Sequence, residues 1–207
     1  MSELFSIQLQ NQQQQQGRDG VWLDLPTTTE QVQAALRQIG ISSDNPQGLF
    51  ISGYFAEEEK RFAIPYNMVL ASNVDALNFL AAQLETLSAG ERAELNAALQ
   101  APQSELSSIG RITDFPENVD YYVYLPDVRG PAQLGDYYLN RSGMVDMPEE
   151  WKGGIDTAQF GRYVAQQEQG VFTEYGYLVK SGDEWQKVYE GQPVPEEYRV
   201  LSLPAPE

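Results

Sequence analysis

The side chains of this sequence that could do chemistry are carboxylates. Asp120, Asp136, Glu149, Glu150, Glu168 and Glu174 fall within one stretch of the second half. Two of them facing each other across a cleft would form the proton donor and nucleophile of a glycoside hydrolase. Nothing in their spacing selects two of the six. Other routes are closed by residue type, because the chain has no histidine and no cysteine. There is no imidazole to titrate near neutral pH, and no thiolate nucleophile, disulfide or Cys/His zinc site. Gly-x-Ser-x-Gly does not occur, and without histidine no Ser-His-Asp triad can form. Asp19, Asp24 and Asp44 lack the spacing of a calcium loop. No glycine-rich phosphate loop is present. The expectation is a chain with no cofactor and no metal.

Charge then narrows the partners. Thirty acids against 13 bases leave a net charge of −17 on 207 residues. The excess is spread along the chain: −4 over 1–70, −4 over 71–116, −5 over 117–180 and −4 over 181–207. Direct binding to nucleic acid needs Lys and Arg to displace counterions, and an anionic membrane repels such a surface. Basic proteins or cations are the expected partners; the plainer alternative is that the acidity only confers solubility. Tyr121-Tyr122, Tyr137-Tyr138 and Tyr175/Tyr177 are either surface anchors for a partner or ring fillers of small cores. Met1 to Gln10 has no basic segment leading into an apolar run, so no signal peptide is expected. No stretch approaches the ~18 apolar residues of a membrane-spanning helix. The absence of cysteine fits a reducing cytoplasm.

These residues must be held by elements, and the pattern is α+β in three blocks. Residues 1–70 read as an antiparallel sheet with one helix. Its strands are Leu4 to Leu9, Val21 to Leu25 and Leu49 to Phe55, and Gln12 to Gln16 with Gly17 to Gly20 form a loop. Thr27 to Glu30 has capping-box spacing ahead of Val32, Ala35, Leu36 and Ile39. Glu57 to Arg61 reads as a charged, solvated turn. Residues 71–116 read as helical. Ser72 and Asn73 cap a helix carrying Leu77, Leu80, Ala81, Leu84 and Leu87, and Ser88 to Glu91 caps another that ends before Pro102, with a further turn over Glu105 to Ile109. Residues 117–180 return to mixed structure: a strand over Val119 to Leu125, a helix over Pro131 to Asn140, a helix opened by Asp156 with Phe160, Tyr163 and Val164 inward, and a strand over Gly170 to Val179. Residues 181–207 read as an appended hairpin or tail, interrupted by prolines.

Several segments together resemble the ArdA antirestriction family. Phe5-Ser6-Ile7-Gln8-Leu9, a Gln/Gly loop and Gly20-Val21-Trp22-Leu23-Asp24-Leu25-Pro26 look like its opening. Leu36 to Gly40, Phe50 to Tyr54 and Val74 to Ala81 resemble its next helix end, strand and helix. Ile155 to Arg162 resembles its last helix start, and Gly170 to Tyr177 its final strand. The resemblance covers roughly residues 3–180, in order.

It implies a non-enzymatic inhibitor: an elongated acidic dimer of three small domains that imitates bent duplex DNA. Such proteins occupy the DNA-binding groove of type I restriction–modification enzymes and so protect incoming mobile DNA. The family's antirestriction motif corresponds to about Asp136–Trp151, a region that in the family lies near the dimer interface. The acidic surface expected to meet the partner comprises Asp120, Asp127, Asp136, Asp146, Glu149, Glu150, Asp156, Glu168 and Glu174. An acidic interaction module for some other basic protein is the second reading. Departures from the family pattern are Gln159, Gln166 and Gln167 where relatives carry acids, the Gln run, and the 27 residues after Lys180.

Overall fold

The computed structural model describes residues 4–13, 20–42, 45–58, 61–102 and 104–201. The middle of the expected Gln/Gly loop (14–19, including Asp19), Asp44, and Glu59-Lys60 of the charged turn lie outside the described residues. In chain order the elements are β1 (Phe5–Asn11), β2 (Val21–Leu25), α1 (Thr29–Gln38), β3 (Leu49–Phe55), α2 (Tyr66–Leu70), α3 (Val74–Glu85), α4 (Ala89–Gln100), α5 (Ile109–Thr113), a 3-10 segment (Phe115–Tyr121), β4 (Tyr122–Leu125), α6 (Pro131–Asp136), a π-helical turn (Tyr137–Arg141), α7 (Glu149–Lys152), α8 (Thr157–Glu168), β5 (Val171–Phe172), β6 (Tyr177–Lys180) and a 3-10 turn (Glu196–Tyr198). The fold is α+β, with two small three-stranded antiparallel sheets.

Two compact units share the chain: Met1–Leu87 with Leu106–Glu117 and Lys187–Glu207, and Ser88–Glu105 with Asn118–Gln186. In the first unit β1 is the central strand, in the order β2-β1-β3. Phe5, Ile7 and Leu9 alternate with Ser6, Gln8 and Gln10, so a period of two buries one face and leaves the other polar. The buried face is completed by Leu23, Leu25 and Ile51. Helix α1 packs on β2. Its capping box falls one residue later than the spacing predicts: the Thr28 hydroxyl accepts from the Gln31 amide, and the Gln31 side chain accepts from the Thr28 amide. The reason is tertiary, since the Thr27 amide is already given to Asn78 Oδ1 on α3 at 2.7 Å.

The segment read as an appended hairpin contains no strand among residues 181–201. Its last part is stitched onto α3 and α5 of the first unit. Asp114 is fully buried and accepts from the amides of Tyr189 at 2.6 Å and Glu190 at 3.3 Å. Asp75 accepts from the amides of Val200 and Leu201, each at 2.8 Å. Asn78 donates to the Tyr198 carbonyl, and the Phe79 ring contacts both Tyr189 and Tyr198. Backbone donors that a hairpin would pair with a neighbouring strand are taken up by side-chain oxygens, and Pro193 and Pro195 have none to give.

In the second unit Ser88 and Glu91 form the capping box of α4 where the sequence places it. The sheet order is β4-β6-β5. The strand expected over Val119 to Leu125 begins only at Tyr122, because two 3-10 turns, broken at Asn118, run up to Tyr121, and the Asn118 side chain holds both backbone groups of Gln186. The single strand expected over Gly170 to Val179 is a hairpin. The Thr173 hydroxyl accepts from the amides of Tyr175 and Gly176 and turns the chain between β5 and β6.

Helices α6 and α8 approach at backbone distance. A Cβ at Gly135 would lie 1.9 Å from the Thr157 carbonyl oxygen, and one at Gly161 would lie 1.8 Å from that of Pro131. Only glycine fits either place. This contact displaces the expected inner face of α8: Gly161 and Ala165 are buried, whereas Tyr163 points to solvent.

Candidate partner-binding surface

The nine carboxylates named from the sequence all lie in the second unit. Asp120, Asp127, Asp146 and Glu150 are exposed and make no hydrogen bond or ion pair among the described residues. Asp120 is the penultimate residue of the 3-10 segment, and Asp127 sits on the turn after β4, where the Val128 amide returns to the Leu125 carbonyl. Asp146 precedes α7, and Glu150 lies on it beside the exposed Trp151.

The other five are engaged. Asp136 follows Gly135 on α6; it accepts from Asn140 at 2.8 Å and pairs with Arg141 at 3.2 Å. Glu149 pairs with Lys152 at 2.9 Å. Both pairs are exposed on at least one side and hold their charge near the surface at little net gain. Asp156 is the N-cap of α8, its Oδ1 accepting from the amides of Ala158 and Gln159. Glu174, on the β5–β6 turn, accepts from Gln100.

Glu168 has a different environment. At the end of α8 it accepts from the phenols of Tyr138 and Tyr177, the latter at 2.9 Å. Burial pushes both phenols up, and the hydrogen bonds and charge of Glu168 push them further. A Cβ at Gly170 would lie 1.9 Å from the Tyr177 hydroxyl, so glycine there makes room for the phenol. Glu168 anchors the hydrophobic cluster of Val128, Leu134, Ala165 and Tyr177. The tyrosine pairs behave similarly: Tyr121 and Tyr122 are buried in edge contact, and Tyr124 donates to the Tyr175 carbonyl.

Glu94 on α4 escaped the sequence reading. Burial, then the charges of Glu91 and Asp120, raise its carboxyl from 4.5 to about 7. Its Oε1 is buried without a hydrogen-bond partner among the described residues. At helical spacing Glu94 looks like an ordinary solvated acid between Arg92 and Leu95, and only packing shows that it carries part of a proton at neutral pH. Lys180 makes the opposite bargain, donating to Glu105 at 2.7 Å, which raises its own pKa.

Chemically the arrangement presents fixed negative charge. Among the described residues no group of three or more Asp or Glu could hold a metal ion. Among them, too, no helix is long and apolar enough to cross a membrane. Comparison with protein families gives a match over residues 16–179 to the family described as "Antirestriction protein (ArdA)". Comparison with curated proteins gives no match.

Proposed function

The chain belongs to the ArdA antirestriction family, and from that premise we propose that it acts as a DNA mimic at the basic groove of a type I restriction–modification enzyme. The observation that supports this most directly is the set of exposed, uncompensated carboxylates at Asp120, Asp127, Asp146 and Glu150, within a chain of net charge −17. Duplex DNA carries one charge per ~1.7 Å of axis, and a protein that binds it supplies matching Lys and Arg. Carboxylates on a folded scaffold occupy that groove without offering a scissile backbone or bases. Phosphate-type contacts carry no sequence information, so one mimic serves enzymes of different target sequence. On this reading the protein is not an enzyme, works in the cytoplasm as a homodimer, binds no nucleic acid itself, and protects mobile DNA as it enters a cell.

The acidic-module reading keeps one observation in its favour. The exposed face of α8 carries Gln159, Gln166, Gln167 and Arg162, so it is nearly neutral. A basic partner other than a restriction enzyme would fit a less complete charge array. The deciding experiment titrates the purified chain against a type I enzyme and unmodified DNA at low and high salt. Near-stoichiometric protection that fades with salt, without binding of the chain to DNA, is the expected result. No protection at large excess overturns the type I assignment.

A further inference from the structure

Residues 187–201 lie outside the stretch that matches the antirestriction family, yet they rest on α3 and α5, which lie inside it. The segment has no strand, and its one regular element is the 3-10 turn Glu196–Tyr198. It is gripped at two ends. At the first, Asp114 takes the amides of Tyr189 and Glu190, and Arg111 pairs with the Glu190 carboxylate at 3.1 Å. A Cβ at Gly110 would lie 3.3 Å from the Glu190 Cα, so the chain runs close over bare α5 backbone. At the second, Asp75 takes the amides of Val200 and Leu201, and Asn78 donates to the Tyr198 carbonyl. One ring of α3, Phe79, meets Tyr189 at 4.9 Å and Tyr198 at 4.8 Å. The middle is not filled: a hollow of about 130 Å³ is left between Phe79, Ile109 and Thr113 on the helices and Pro193 and Val194 on the segment.

We propose that the α3–α5 face is a peptide-docking site and that residues 187–201 are its tethered ligand, able to leave and to be replaced by a separate peptide of the same pattern. Protein interiors leave few voids larger than a water. A segment clamped at two ends over an unfilled middle has the form of a ligand on a surface. The centre of the unit is supplied by other elements, with Ile7, Leu9, Leu36, Leu77 and Leu80 buried there. The grip is largely on backbone amides, which any peptide offers, while two tyrosines nine positions apart and the acid beside the first give selectivity. Water reaches Asp75 and Asp114 once the segment lifts, so departure leaves no carboxylate stranded without a donor. The tether makes rebinding intramolecular, equivalent to roughly millimolar ligand, so a free peptide competes only after the tether is cut.

The test begins with hydrogen exchange on the unaltered full chain. The amides of Tyr189, Glu190, Val200 and Leu201 should exchange at least about tenfold faster than those of Ile7 and Leu9, while staying protected relative to a free peptide. Exchange at the rate of Ile7 and Leu9, or at the rate of a free peptide, overturns the proposal. A site for a sequence-specific protease is then placed between Gln186 and Lys187, both exposed, and cut in the folded chain. The freed segment should stay bound until excess fluorescent peptide 187–201 replaces it, read as a rise in anisotropy with the circular dichroism of the remainder unchanged. The same peptide carrying Tyr189→Ala and Tyr198→Ala should bind about tenfold more weakly. Failure of the peptide to replace the segment, unfolding of the remainder on release, or equal binding of the two peptides overturns the proposal. If the inserted site itself prevents folding, the exchange rates of the unaltered chain decide.

Discussion

Each of the two units ties down some of its acids and displays others, and the two fates are clearest in different places. In the first, Asp114 and Asp75 are consumed by the backbone amides of the last segment. In the second, Asp120, Asp127, Asp146 and Glu150 stand in solvent with nothing to neutralise them. Both units carry a similar excess of acid in sequence, and the first also displays part of its share, since Glu58, Glu117, Glu196 and Glu197 are exposed. The lesson is that a carboxylate count measures what a chain contains, and hydrogen bonding decides what it displays.

The comparison can be broken hardest at the α6–α8 contact, where two helices of the second unit meet at backbone distance. Gly161→Ala forces a Cβ against the Pro131 carbonyl and is expected to cost about 3 kcal/mol or more. Gly153→Ala, with open space around its Cβ, should change stability by less than about 0.5 kcal/mol. Chemical denaturation of the two variants checks this, and similar costs would mean that the helices can part without penalty.

Next in size is the contrast between a consumed and a displayed acid. Asp114→Ala leaves two amides without their acceptor and should cost about 2–4 kcal/mol, while Asp127→Ala should lie within about 0.5 kcal/mol of the parent. The second change should weaken inhibition instead. If Asp127→Ala proves the more destabilising, the division of roles fails.

Glu94 sharpens the comparison through pH. Its carboxyl is raised from 4.5 to about 7, so the folded chain holds a proton that the unfolded chain has released across that interval. Stability from this group is therefore present below pH 4.5 and lost as pH rises through about 7. Glu94→Gln should leave stability unchanged near pH 4.5 and add roughly 1–2 kcal/mol at pH 8, a figure reduced for residual solvent contact. Melting temperatures across that range test it, and a constant difference between variant and parent would show that burial does not hold the proton.

The smallest effect compares two helix starts. Thr28→Ala and Ser88→Ala each remove one capping hydroxyl and should each cost about 1 kcal/mol. Thr28→Ala should cost no more than Ser88→Ala, because the Thr27 hydroxyl also donates to the Gln31 side chain that completes the box.

Much of this was legible. Strands β1 to β3 follow from alternation, and the Ser88 box and the Asp156 cap follow from residue type at fixed offsets. The family followed from motifs in order. What the sequence concealed is where long-range partners override local preference. Thr27 yields the cap to Thr28 because Asn78 claims its amide, and Tyr163 turns outward because Gly135 and Gly161 set the helix contact. Helices α2 and α7, of five and four residues, are too short to show a period.

By itself the amino-acid sequence determined the net charge, the exclusion of histidine and cysteine chemistry, and the α+β alternation, because each depends on residue type or on neighbours a few positions away. Only the tertiary structure decided which acids face solvent, which hold the last segment, that Glu168 is tied to two phenols and that Glu94 keeps a proton. Those outcomes depend on partners as distant in sequence as Asp75 and Leu201, 126 residues apart, and on burial, which no local pattern encodes.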